Sequence, residues 1–123
     1  MVTFRKKKSI IQDLMPEVID HLKDCGIRPN IISKEDADRV SKVNSKAMVL
    51  LSFIKNENGY YQIQLMDKEL YNYTQKLVKD IFRMRILSID KDTRIITAET
   101  DHKGIALDII EVLGMKYNLS IVL

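Results

Sequence analysis

A hairpin signal in the middle of the chain constrains the fold more than any other feature. Residues 46–55 are rich in strand formers, Asn58-Gly59 supplies two residues that tolerate positive φ, and Tyr60 to Leu65 alternates. A two-residue turn at Asn58-Gly59 predicts Ile54 opposite Ile63 and Ser52 opposite Leu65. One face of the hairpin then carries Met48, Leu50, Ile54, Tyr61, Ile63 and Leu65, as a core surface should. The other carries Val49, Leu51 and Phe53 beside Gln62 and Gln64, and is too apolar to lie bare. It calls either for cover by the N-terminal helices or for a partner.

On the N-terminal side, Ser9-Ile10-Ile11-Gln12 matches a capping box and predicts a helix start, with a kink or restart at Pro16. Val18, Ile19, Leu22 and Cys25 then share one face, and Gly26 stands where a left-handed cap residue is wanted. Ser33-Lys34-Glu35-Asp36 opens a short charged helix to about Val43, anchored by Ala37 and Val40. On the C-terminal side, Asp67 caps a helix reaching Met84, with Leu70, Leu77, Val78, Ile81 and Met84 as its buried stripe. A second hairpin pairs Arg85 to Ile89 with Thr93 to Thr100 about Asp90-Lys91-Asp92. A helix from Asp101 to about Tyr117 follows, burying Ile105, Ile109, Val112 and Leu113, and a last strand runs from Leu119 to Leu123.

The expected class is α+β: N-terminal helices, an antiparallel or mixed sheet of about five strands in two hairpins plus a C-terminal strand, and two further helices. From residue 60 the order β-α-β-β-α-β is the split βαβ order of ferredoxin-like folds. In that fold the first strand has neighbours on both sides, which leaves no place for residues 46–55, so the strand order stays open. Two helical alternatives exist. Residues 32–51 loosely resemble a helix-turn-helix, with Ala37, Val40 and Leu50 near its apolar positions, but Asp36 and Lys42 fall where it wants apolar side chains. Residues 5–83 faintly resemble a death-fold domain of the caspase-recruitment type, which would make 46–55 helical and leave 85–123 unexplained.

The 123 residues fall in the single-domain range, and 46% hydrophobic with 30% charged residues is globular composition. The reading divides the chain into a basic, flexible tail over 1–8 and one α+β domain over 9–123. The longest apolar run, Ala47 to Leu51, is far short of the roughly 20 residues of a membrane helix, so no membrane partner is expected. No secretory signal follows the basic N-terminus, and a single cysteine, Cys25, gives no disulfide framework, which together suggest a reducing, cytoplasmic setting. The net charge of +3 is mostly the tail: without Arg5, Lys6, Lys7 and Lys8 the balance is sixteen basic against seventeen acidic residues.

Catalytic chemistry has few carriers. His21 and Cys25 are four apart and share a helix face. They fit either a thiolate beside an imidazolium or a packed cysteine at the rim of an apolar stripe. No paired Cys or His spacing suggests a metal, and no glycine loop suggests a phosphate or other cofactor. Glu99-Thr100-Asp101-His102-Lys103-Gly104 is the most polar cluster and reads as a capped loop with Asp101 as cap. Asp90 and Asp92 read as turn residues.

Three surfaces remain as binding candidates. The tail residues Arg5, Lys6, Lys7 and Lys8 could contact DNA or RNA by counterion release. Lys76, Lys79 and Arg83 form a row spaced for one helix side, with Lys68 and Arg85 at its ends and Asp80 diluting it; Tyr60, Tyr71 and Tyr73 could stack bases. Val49, Leu51 and Phe53 could form a subunit or partner interface, a homodimer bringing two tails together. The expected function is a non-catalytic, nucleic-acid-binding or regulatory protein. The alternatives are a protein–protein adaptor or inhibitor using the apolar hairpin face, and a small enzyme of unknown reaction.

Overall fold

The computed structural model describes residues 10–43, 47–67 and 71–123. The basic residues Arg5 to Lys8, with Ser9, Lys68 and Leu70, lie outside these. The described residues form an α+β fold with a seven-stranded mixed sheet and four helices. In order these are β1 (Gln12–Asp13), α1 (Met15–Asp24), β2 (Asn30–Ile32), α2 (Lys34–Val43), β3 (Ala47–Lys55), β4 (Tyr61–Asp67), α3 (Tyr71–Lys76), β5 (Arg85–Asp90), β6 (Ile95–Thr100), α4 (Lys103–Lys116) and β7 (Asn118–Val122). A five-residue π-helical turn, Leu77–Ile81, extends α3. Residues 47–55 are strand, which sets aside both helical alternatives. Among the described residues no helix is long and apolar enough to cross a membrane.

The strand order is β2-β7-β3-β4-β6-β5, and it resolves the conflict posed by the hairpin. Strands β4, β5, β6 and β7 keep the split βαβ arrangement, but β3 is inserted between β7 and β4. It pairs antiparallel with β4 and parallel with β7. Strand β7 covers the edge of β3 only from Ala47 to Leu50, and β1 takes the remainder at Ile54 and Lys55. The two strands absent from the sequence reading are short: β1 has two residues and β2 three. Neither carries an alternation long enough to read.

The register of the first hairpin departs from the two-residue turn. Asn56 Oδ1 accepts the backbone N–H groups of Asn58 and Tyr60, at 3.0 Å each, and the Gly59 N–H reaches Asn56 O at 3.0 Å. Gly59, at φ +81°, supplies the left-handed residue of a three-residue turn. The pairs become Phe53 with Ile63 and Ile54 with Gln62. A bulge at Leu51 then shifts the register again and sets Leu50, instead of Ser52, opposite Leu65. The consequence is that Phe53, not Ile54, enters the main core.

That core joins Met48, Leu50, Phe53, Ile63 and Leu65 of the sheet to α1 (Met15, Val18, Leu22), to Leu77 and Val78, and to α4 (Ala106, Ile109, Ile110, Leu113). A smaller cluster on the opposite face packs Ala37 of α2 on Val49 and Met66, with Leu51 against them. So α2 is the cover that the second face required.

Several local expectations shift. Pro16 sits in the first turn of α1, where its missing N–H costs nothing; the helix begins at Met15, and Ile10 and Ile11, which the capping-box reading placed in it, are exposed and outside it. Cys25 is the exposed C-cap of α1 and not part of its buried stripe. Gly26 (φ +76°) and Ile27 donate to Lys23 O and Leu22 O at 3.0 and 2.8 Å, a Schellman closure. The α3 segment ends at Ile81, which is 66% exposed, because the π turn and the left-handed Arg83 (φ +52°) lead the chain out. Asp67 lies at the buried end of β4 and accepts a hydrogen bond from Thr74 Oγ1. Asp101 does not cap α4: His102 is the N-cap residue, and the His102 N–H is taken by Thr100 Oγ1 at 3.2 Å.

Candidate functional site

Strand β5 is the last in the sheet, and the π turn delivers the chain to it with basic residues on the way. Lys76 and Lys79 line a shallow depression of ≈ 320 Å³ with Asn72, Gln75 and Asp80. A second, of ≈ 410 Å³, shares Gln75 and Lys79 and continues to Arg85, Ile86 and Ile89. A third, of ≈ 200 Å³, shares Arg85 and adds Tyr60, Arg83, Glu99, Thr100 and Asp101. The second and third are lined in part by β5, and the first adjoins the second through Gln75 and Lys79.

The row expected at Lys76, Lys79 and Arg83 is therefore not one helix side. Lys76 and Lys79 stay together, while Arg83 has left the helix and stands beside Arg85 and Tyr60. Of the tyrosines considered for stacking, Tyr60 is 42% exposed at this rim. Tyr73 is engaged elsewhere: it packs edge-on against Tyr117 and accepts a 2.8 Å hydrogen bond from Lys116 Nζ. That bond holds the Lys116 ammonium above its ordinary pKa.

The rim is of mixed sign. Asp80, Glu99 and Asp101 lie among the four cations. Glu99 is 8% exposed; its carboxylate accepts Asn56 Nδ2 at 3.2 Å and faces Arg85 Nη1 at 3.8 Å. Beside this row on the same sheet face, Ser52 Oγ donates to Gln64 Oε1 and Gln64 Nε2 to Thr97 Oγ1, both at 3.3 Å. The half of the second face nearer the first hairpin's turn thus carries hydrogen-bonded polar side chains, while the half under α2 is apolar.

Val49 and Phe53 are fully buried and on opposite faces, and Leu51 is half-buried against the α2 cluster. The three do not form one exposed patch. The Glu99 to His102 stretch is split likewise: Glu99 and Asp101 reach the third depression, whereas His102 is exposed, with Nε2 3.6 Å from Asp101 Oδ1.

A second constellation lies between α1 and α4. His21 Nε2 is 3.9 Å from Cys25 Sγ and 4.0 Å from Glu111 Oε2, and the three ligand atoms all lie within 4.8 Å of one another. The thiol is pushed up to about 11, chiefly by the neighbouring Glu111 carboxylate, then by desolvation and by the charges of Asp24 and Asp108. A raised pKa keeps the thiol protonated at neutral pH, the reverse of an activated nucleophile. Glu111 was invisible to sequence reasoning because it joins from another helix. The signal that could have found it is Gly114, one turn on, where a Cβ would come within 3.2 Å of Ile27 Cγ2 and 3.6 Å of Leu22 Cδ2. The glycine marks where α4 presses on the end of α1.

No protein-family model matches the chain, and neither a curated protein nor a solved structure matches it significantly.

Proposed function

We propose that this chain is a non-catalytic binding protein that takes single-stranded nucleic acid along the β5 rim. The observation that carries the reading is the third depression, in which the exposed Tyr60 ring stands with Arg83 and Arg85. A ring for a base beside two guanidinium groups for phosphates is the pairing that sequence-tolerant single-strand binding uses. Lys76 and Lys79 add cations in two adjoining depressions, which offer further phosphate contacts. The near balance of charges at the rim implies modest affinity, supplemented by Arg5, Lys6, Lys7 and Lys8. The homodimer does not enter this reading, because the face that suggested it is closed by α2.

The test is a fluorescence titration with labelled single-stranded DNA, single-stranded RNA and duplex DNA. Tyr60→Leu weakens binding to both single strands and leaves duplex binding unchanged, because only an unstacked base meets the ring. Arg83→Ala and Arg85→Ala weaken all three. Equal single-strand binding by wild type and Tyr60→Leu, or no binding at low salt, refutes the proposal.

A further inference from the structure

We propose that His21, Cys25 and Glu111 form a site for one zinc-class divalent cation, with a solvent molecule completing the coordination. Imidazole nitrogen, thiolate sulfur and carboxylate oxygen are the three donor types that zinc takes from proteins, and three protein ligands with an open fourth position is a recurrent arrangement. Tetrahedral bonds of ordinary length place such donors roughly 3.3–3.6 Å apart. The separations of 3.9 and 4.0 Å, with all three atoms inside 4.8 Å, leave about an ångström or less to close. His21 and Glu111 are each about one-third exposed and Cys25 is exposed, so small side-chain rotations can do this without moving the core.

The backbone beneath is already fixed. His21 and Cys25 stand one turn apart at the end of α1, and the Cys25 N–H donates to His21 O and Leu22 O. The Schellman closure at Gly26 and Ile27 locks that end, and Gly114 holds α4 against it within a turn of Glu111. The charges also match. A thiolate, a carboxylate and a neutral imidazole sum to two negative charges, which a divalent cation cancels, and Asp24 of α1 and Asp108 of α4 add negative potential. Binding is then Cys25–SH plus M²⁺ giving Cys25–S–M plus H⁺, the proton leaving to buffer.

The probe is cobalt(II), added to the full chain after reduction and removal of metal. The expected result is a near-ultraviolet thiolate-to-cobalt charge-transfer band with the visible bands of four-coordinate cobalt, saturating at one equivalent and abolished by one equivalent of zinc. Cys25→Ser removes the charge-transfer band, and Glu111→Gln weakens zinc binding at least tenfold. Calorimetry at pH 7 in two buffers of different ionisation enthalpy reports about one proton released per zinc. Circular dichroism confirms that the variants fold, as expected for substitutions at this exposed rim. The proposal is overturned if saturating cobalt gives no thiolate band, or if zinc binds Cys25→Ser and Glu111→Gln as it binds the wild type.

Discussion

Replacing Phe53 and Ile54 in turn by alanine separates the observed hairpin register from the simpler one. Phe53 is fully buried in the main core and stacks on Tyr61 at 6.4 Å between centroids, with 19° between the planes. A buried phenylalanine hides about 150–250 Å², which at about 25 cal/mol/Å² corresponds to roughly 4–6 kcal/mol. Alanine keeps the β-carbon, and core Phe→Ala changes cost about 3–5 kcal/mol. Ile54 is half-buried opposite Gln62 on the other face, so its truncation costs about 1–2 kcal/mol, below the range for buried isoleucine. Urea unfolding followed by circular dichroism gives both values, with Phe53→Leu, at about 1 kcal/mol, as a milder variant should Phe53→Ala fail to fold. A two-residue turn without the bulge reverses the ranking. If Ile54→Ala destabilises as much as Phe53→Ala, the register and the bulge at Leu51 are refuted.

Further outcomes follow from buried and turn carboxylates. Thr74→Val removes the hydroxyl that donates to the fully buried Asp67 and costs about 1–3 kcal/mol in urea unfolding; an unchanged midpoint shows that the bond holds nothing. Asp90 Oδ1 accepts the N–H groups of Thr93 and Asp92 at 3.2 and 2.9 Å, which lowers its pKa, Thr93 contributing most. A lowered folded-state pKa gives stability that is present above the unfolded value of about 3.9 and lost as pH falls through the folded one. The gap in unfolding midpoint between wild type and Asp90→Ala therefore narrows on acidification below about pH 4, and a gap that widens there contradicts the assignment.

The elements with long, regular patterns were legible in the sequence, and those decided by a single side chain were not. Both hairpins, α2 behind its Ser33–Asp36 box and α4 were readable because periodicity accumulates over many residues. The turn at Asn56 was not. Asn58-Gly59 is the stronger two-residue signal, and only the Asn56 side chain, bonding two N–H groups, selects three residues. One residue of register exchanged Phe53 for Ile54 in the core, since side chains alternate with period two. The insertion of β3 between β7 and β4 is a tertiary choice that no local pattern encodes. At the candidate site, Lys76 and Lys79 were found from spacing, but their separation from Arg83 was not, because a π turn leaves no distinctive pattern in Leu77–Ile81. The third member of the His21–Cys25 cluster arrives from another helix, ninety residues beyond His21.

The salt dependence of single-stranded RNA binding tests the central claim most directly. Each phosphate neutralised adds about −0.7 to the slope of log K against log salt for single strands. Lys76, Lys79, Arg83 and Arg85 together therefore predict a slope of about −2.8, and Arg5 to Lys8 bring it toward −5.6 when the tail engages. Alanine at the four rim positions should return the slope to that of the tail alone, about −2.8, with affinity reduced at every salt concentration. A slope and affinity unchanged by the four rim substitutions would contradict the account.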